Sequence, residues 1–210
     1  MKLKRVFFFV LPLVLLLQVS TYATNNLGTL DHWHAYHGGN VFSEIARWQL
    51  APKTYSETLS GFSSITFISH VNTARNAWRN AGISIDSVAS ESNSNFRIYG
   101  GNISDLRDIE SGLPSSFDGW TKWSHSIFEG VWAYNNTNKY GQIQLSIEIF
   151  IPYDSNENSQ FYDKVLTHEF GHGLGWRGHS NNDDDLMYHS TYSNTNSLTT
   201  RDKEHLVQVY

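Results

Sequence analysis

Apolar and polar positions change period several times along the 210 residues, and each change marks a predicted element. Lys2, Lys4 and Arg5 precede an apolar run from Val6 to Leu17, which is too short to span a bilayer comfortably. With the small residues Ser20, Thr21 and Ala23 behind it, this segment reads as a secretory signal over 1–23, leaving 24–210 as one domain. An uncleaved membrane anchor is the alternative. Further on, Val71, Ala74, Ala77 and Trp78 recur at helical spacing and Asn80-Ala81-Gly82 supplies the stop, predicting a helix of about three turns. Ile83, Ile85 and Val88, then Phe96, Ile98 and Tyr99, predict two short strands separated by a Ser/Asn-rich stretch around Asn93. The chain around Trp120 and Trp123 is aromatic without a period and reads as a long loop, whereas Gly130 to Tyr134 reads as a strand. Ile143, Leu145, Ile147, Ile149 and Ile151 alternate with other residues until Pro152, predicting one strand with a single core face. From Phe161 the period becomes helical, with Val165, His168 and His172 on the same stripe. Leu206, Val207 and Tyr210 predict a C-terminal helix between Leu198 and the end. The sum is an α+β chain with helices laid on a sheet.

Composition narrows what such a fold does. Hydrophobic residues make up 40% and charged residues only 17%, so a real core is available and a disordered chain is excluded. The formal charge is −5 and falls to −8 if the signal leaves with its three cations, so nucleic acid is excluded as a partner for want of a concentrated basic surface. There is no cysteine, which removes disulfides, thiolate ligands and thiol nucleophiles together and, in an exported chain, points to a bacterial origin. Metal and acid-base work therefore falls to Asp, Glu and the ten histidines.

The histidines fall into two groups of interest. His32, His34 and His37 lie in DHWHAYHGGN, where an extended chain puts His32 and His34 on one face; a second metal and simple ring packing both account for them. The other group is His168-Glu169-Phe170-Gly171-His172. On a helix, imidazoles four residues apart stand one turn above the other, with Cβ atoms about 6 Å apart, and both can bind one Zn²⁺. Glu169 projects to the side, where it can reach a metal-activated water as general base without being a ligand. Gly173, Gly175 and Gly178 loosen the chain beyond, and His179 arrives where a returning loop can offer a third nitrogen. Three histidines leave one position open, as catalytic zinc sites do. Asp183, Asp184 and Asp185 are the substitutes for that third ligand, or else a solvated loop or a weak Ca²⁺ site that nothing else supports. His70, His189 and His205 read as non-ligands, and Met187 reads as a hydrophobic floor beneath the imidazoles.

From Phe161 to about Ser193 the chain resembles the metzincin clan of zinc endopeptidases, and within it the matrixins of the M10 type, whose signature is HExxHxxGxxHS followed by a turn reading L-M-Y. The residues carrying the resemblance are His168, Glu169, His172, Gly175, His179, Ser180, Met187 and Tyr188. This chain departs from the pattern in three ways. Trp176, Arg177 and Gly178 make three residues before the last histidine where the family has two, so the loop must bulge by one. His189 stands where proline is usual after Met-Tyr, and no cysteine-bearing propeptide can block the metal.

The resemblance implies a metzincin-like catalytic domain, with a twisted mixed sheet, an active-site helix, a backing helix and a C-terminal helix. It implies one catalytic Zn²⁺ on His168, His172 and His179, Glu169 as general base, Met187 in the Met-turn, and an edge strand that pairs with substrate. Gly130, Val131, Trp132, Ala133 and Tyr134 are the strand expected in that role. The activity implied is that of a secreted, extracellular zinc endopeptidase acting on proteins or peptides, with no stable membrane anchor after signal cleavage. A secreted binding or adhesion module that keeps the fold and zinc without proteolysis is the alternative, and the presence of Glu169 weighs against it, since binding zinc does not require that residue.

Overall fold

The structure, a computed structural model, describes residues 34–37, 40–43, 45–48, 50–123, 133–135, 138–143, 146–176, 179–180, 182–190, 193–207 and 210. The expected signal segment, His32, Gly130, Val131, Trp132, Arg177 and Gly178 lie outside these described residues. In chain order the strands are β1 His34–His37, β2 Asn40–Ser43, β3 Ile45–Trp48, β4 Lys53–Thr58, β5 Asp86–Ser87, β6 Phe96–Gly101, β7 Trp120–Trp123, β8 Ala133–Asn135, β9 Asn138–Ile143 and β10 Ile147–Pro152. The helices are α1 Ser64–Asn80, α2 Ile103–Ile109, α3 Ser159–Gly173 and α4 Thr200–Val207.

The main sheet has five strands in the order β5-β4-β6-β10-β7. Its pairings are parallel except for the last, where β7 runs antiparallel to β10 in the register Ile149↔Thr121. Two smaller sheets consist of β1-β2 and β3-β9-β8.

Why α1 and α3 lie on this sheet follows from their apolar stripes. Ser63 begins α1 by accepting a hydrogen bond from Thr66 N at 3.2 Å. Phe67, Val71, Ala74 and Trp78 then fall on one stripe and are all buried. They meet Leu166 and Phe170 of α3 and the sheet face formed by Phe96, Ile98, Ile147, Ile149 and Ile151. Full burial of one such side chain contributes roughly 1.5–3 kcal/mol, so this layer supplies most of the apolar driving force. The two helices are also joined by a directional bond, Trp78 Nε1 donating to Thr167 O at 2.8 Å. On the opposite sheet face Tyr99 and Phe150 pack with Leu106 and Leu113 in a second cluster.

Several sequence expectations need correction. The helix predicted around Val71–Trp78 begins earlier, at Ser64, because its first turns expose Ile65 and Ile68 and so hide the period. Ile83 and Ile85 are buried, but as connecting chain; only Asp86–Ser87 pairs as a strand. The alternating run from Ile143 to Ile151 is not one strand. Ile143 ends β9 in one sheet and Ile147 begins β10 in another, and Phe150, on the face expected to be polar, is fully buried under α2. The expected loop around Trp120 and Trp123 contains strand β7. Neither β4 nor α2 was anticipated.

Candidate metal centre

Asn158 starts the helix that carries the site, its Oδ1 accepting from Phe161 N at 3.0 Å. His168, Glu169 and His172 occupy the last turns. The helix then ends in a Schellman motif: Gly175 N donates to His172 O at 2.9 Å, Trp176 N to Gly171 O at 3.0 Å, and Gly175 sits at φ 122°. That reversal turns the Trp176 carbonyl back onto the site, where it accepts a hydrogen bond from His172 Nδ1. His168 Nδ1 is held in the same way by Leu186 O at 2.8 Å.

These two bonds decide the tautomers. Each imidazole donates through Nδ1, so each Nε2 carries a lone pair. The two Nε2 atoms lie 3.0 Å apart, a contact that cannot be a hydrogen bond while both rings are neutral and both Nδ1 atoms donate. His179 joins them, its ring centroid 5.3 Å from His168 and 4.9 Å from His172, and one nitrogen from each of the three rings falls within a 4.8 Å cluster. A tetrahedral zinc with Zn–N distances of about 2.0–2.1 Å would set its nitrogens about 3.3 Å apart. The donor set thus fits one Zn²⁺ with an open fourth position. Loss of hydration, with the neighbouring imidazoles, pushes both His168 and His172 down to about 4, which keeps them neutral and ready to ligate near neutral pH.

The extra residue before His179 therefore does not keep that ring from the cluster. The carboxylates offered as substitutes stand elsewhere. Asp183 and Asp184 are exposed, and Asp185 is buried and accepts from Arg201 Nε at 2.7 Å, Thr199 Oγ1 at 2.8 Å and Ser180 Oγ at 2.5 Å. Burial pushes Asp185 up, but these donors outweigh it and hold its carboxyl below the usual carboxylate range. His189 lines the cleft at 6.5 Å from His179, centroid to centroid, outside the nitrogen cluster. His205 stacks on Trp176, and His70 bonds Asp163 at 2.8 Å. The side chains of His34 and His37 are not among the described parts.

Glu169 is buried, and burial raises its pKa. Thr121 of β7 donates to its Oε2, and Glu169 lines the cleft. Met187 is fully buried; a Cβ on Gly171 would come within 2.5 Å of its Sδ, so glycine at 171 is what lets the Met-turn close under the helix. Asp202 of α4 holds that turn in place, accepting from Leu186 N at 2.9 Å and Met187 N at 3.2 Å. Its other contacts, with Thr199 N and Thr199 Oγ1, form a capping box at the start of α4.

A cleft of about 660 Å³ runs over these groups, lined by β7 and the loop before it on one side and by Leu186, His189 and Ser190 on the other. Ala133 and Tyr134, expected on the substrate strand, belong to the small sheet instead, with Ala133 opposite Tyr140. The strand bordering the cleft is β7, the terminal strand of the main sheet among the described residues. Sequence reasoning missed Thr121, Lys164 and Asp202, and offered Asp185 only as a substitute ligand or solvated acid, not as the buried acceptor it is. Of these only Asp202 left a sequence signal, the Thr199-x-x-Asp202 capping spacing before an apolar-periodic run.

Three convergent imidazoles beside a buried glutamate, in a cleft walled by an antiparallel edge strand, define a centre built for metal-dependent hydrolysis. The family model described as matrixin, peptidase family M10, matches residues 56–210, and the chain belongs to that family of metalloproteases. Its mixed sheet, active-site helix and C-terminal helix are the matrixin-like fold expected from the sequence. Among solved structures the chain is similar to "Structure of myroilysin", with 15% identity, a TM-score of 0.45, and coverage of 78% of this chain and 95% of that one. No curated protein matches.

Proposed function

We propose that the protein is a secreted zinc endopeptidase, exported by the segment 1–23 and folded as one catalytic domain over 24–210. The observation that carries this reading is the pair of facing Nε2 lone pairs of His168 and His172, with His179 beside them and Glu169 at their side. When bound, zinc supplies Lewis acidity toward the scissile carbonyl and the attacking water. His168, His172 and His179 hold it, their orientation set by Leu186 O and Trp176 O for the first two. Glu169 takes a proton from the water at Oε1 and passes it to the leaving nitrogen, while Thr121 keeps Oε2 fixed. The raised pKa of Glu169 suits a group that must both accept and return a proton. The edge of β7 that pairs with no strand among the described residues offers backbone groups to an extended peptide, so Trp120–Trp123 takes the substrate-strand role expected of Gly130–Tyr134. Met187 supports the imidazoles from below without ligating.

Casein hydrolysis by the secreted protein tests this reading. Cleavage that a zinc chelator abolishes and added Zn²⁺ restores is the expected result. Zinc binding without cleavage of any protein or peptide would favour the adhesion module.

A further inference from the structure

Lys164 lies four residues before His168, and Lys164, His168 and His172 form one stripe along α3 that faces the cleft. It is the lysine of the active-site helix and is 7% exposed. Its Nζ donates to Ser193 O at 2.7 Å. An ammonium has three donors, and a buried cation is normally matched by a carboxylate. Among the described residues none lies within 4.0 Å of Nζ. Asp118 and Glu157 share a neighbouring recess with Lys164, and Asp118 also lines the cleft itself. The cleft around Lys164 is lined by the apolar Val165, Phe117 and Leu186 together with Asp118 and Ser190. Burial pulls the Lys164 ammonium below its ordinary value.

A largely buried positive charge in a substrate cleft, one helical turn from the metal ligands and with no carboxylate of the described residues within 4.0 Å, is completed by a negative group that arrives with the substrate. We infer that Lys164 is a specificity-determining residue that selects an acidic side chain, Glu or Asp, at one position flanking the scissile bond. This rests on the proteolytic reading above. Leu or Met there would leave the ammonium unpaired beneath it, and Lys or Arg would add a like charge in a desolvated space. The preference is therefore for acid over amide over aliphatic, with cations rejected.

The test uses the zinc-loaded secreted protein and internally quenched peptides of one sequence, varied at each position flanking the cleaved bond as Glu, Gln, Leu or Lys. The expected result is a kcat/KM for Glu about tenfold or more above Gln at one flanking position, with Lys lowest, since only the carboxylate forms a hydrogen-bonded charge pair with the ammonium. Lys164→Met, close in shape, should erase the Glu preference and raise Leu. Lys164→Arg should keep it, which separates charge from packing. Cleavage with equal rates for Glu and Gln at every flanking position, or a Glu preference that survives in Lys164→Met, overturns this inference alone. Failure to cleave any peptide overturns the proteolytic reading with it.

Discussion

Replacing Asp202 with alanine should damage the metal site from a distance, and the structure gives both the size and the route. Asp202 is fully buried and accepts from Leu186 N, Met187 N, Thr199 N and Thr199 Oγ1. Burial raises its pKa above the ordinary carboxylate value, so some desolvation cost is recovered when the group is removed. Against that, the N–H groups of Leu186 and Met187 are left in a dry turn, at about 1–3 kcal/mol each, and α4 loses half its capping box, at about 0.5–2 kcal/mol. The net expected loss is about 3–5 kcal/mol, or a fall in Tm of roughly 6–20 °C for a chain of this length. The route to the metal runs through a single peptide plane. The Met187 N–H that Asp202 holds and the Leu186 carbonyl that holds His168 Nδ1 are the two ends of one amide. Loosening that amide should weaken zinc binding about 10–100-fold, the usual effect of removing a group that orients a ligand. Thermal melts with and without zinc, and competition with a chromogenic chelator at a temperature where the variant is folded, read the two effects separately. A variant that melts within 2 °C of the parent, or one that binds zinc with parental affinity, would refute the reasoning.

Three further outcomes follow from the same geometry. Gly171→Ala places a methyl against Met187 Sδ and Trp78, and overpacking should destabilise the fold by about 1–3 kcal/mol, measurable by urea unfolding, while the exposed Gly112→Ala should be much milder. His179→Ala should lower zinc affinity by orders of magnitude, whereas Asp183→Ala and Asp184→Ala should leave it unchanged; the reverse pattern in chelator competition would move the third ligand to the Asp run. In the zinc-free protein the His168 and His172 rings should titrate near 4 rather than 6.5 by NMR. Because their folded pKa values lie below the unfolded one, the stability they contribute is present above about pH 6.5 and lost as pH falls toward 4.

What was legible in the sequence was whatever a helix brings together locally. The stripe of His168 and His172 needs only the 3.6-residue period, and the glycine that reverses the chain at 175 stands in the family position. His179 was harder to place, because the third ligand returns by a loop whose length departs from the family's. The main errors have a common cause, since local period does not report which sheet a residue joins. Ile143 and Ile147 continue one alternation yet serve different sheets, and Phe150 breaks the polar face because α2 covers it. Trp120 to Trp123 carries no alternation, since β7 is half-exposed on the cleft and its bonding partner β10 is remote in sequence. Asp185 reads as a substitute ligand or part of a solvated loop, and the role of Asp202 goes unread, for the same reason: their donors, Arg201 for one and the Leu186–Met187 backbone for the other, come from 15 or 16 residues away.

On the proposed reading, Glu169 works as the proton-carrying base beside a metal held by three histidines. The most direct test of that role is Glu169→Gln, assayed for zinc content and for hydrolysis of a quenched peptide in the same preparation. The change keeps the size of the side chain and leaves an oxygen able to accept from Thr121, so the fold and the histidines should be untouched. Close to one zinc per chain is expected, with a fall in kcat of about 10²–10⁴-fold, the range for loss of a general base. Parental turnover in a zinc-replete Glu169→Gln protein would contradict that role.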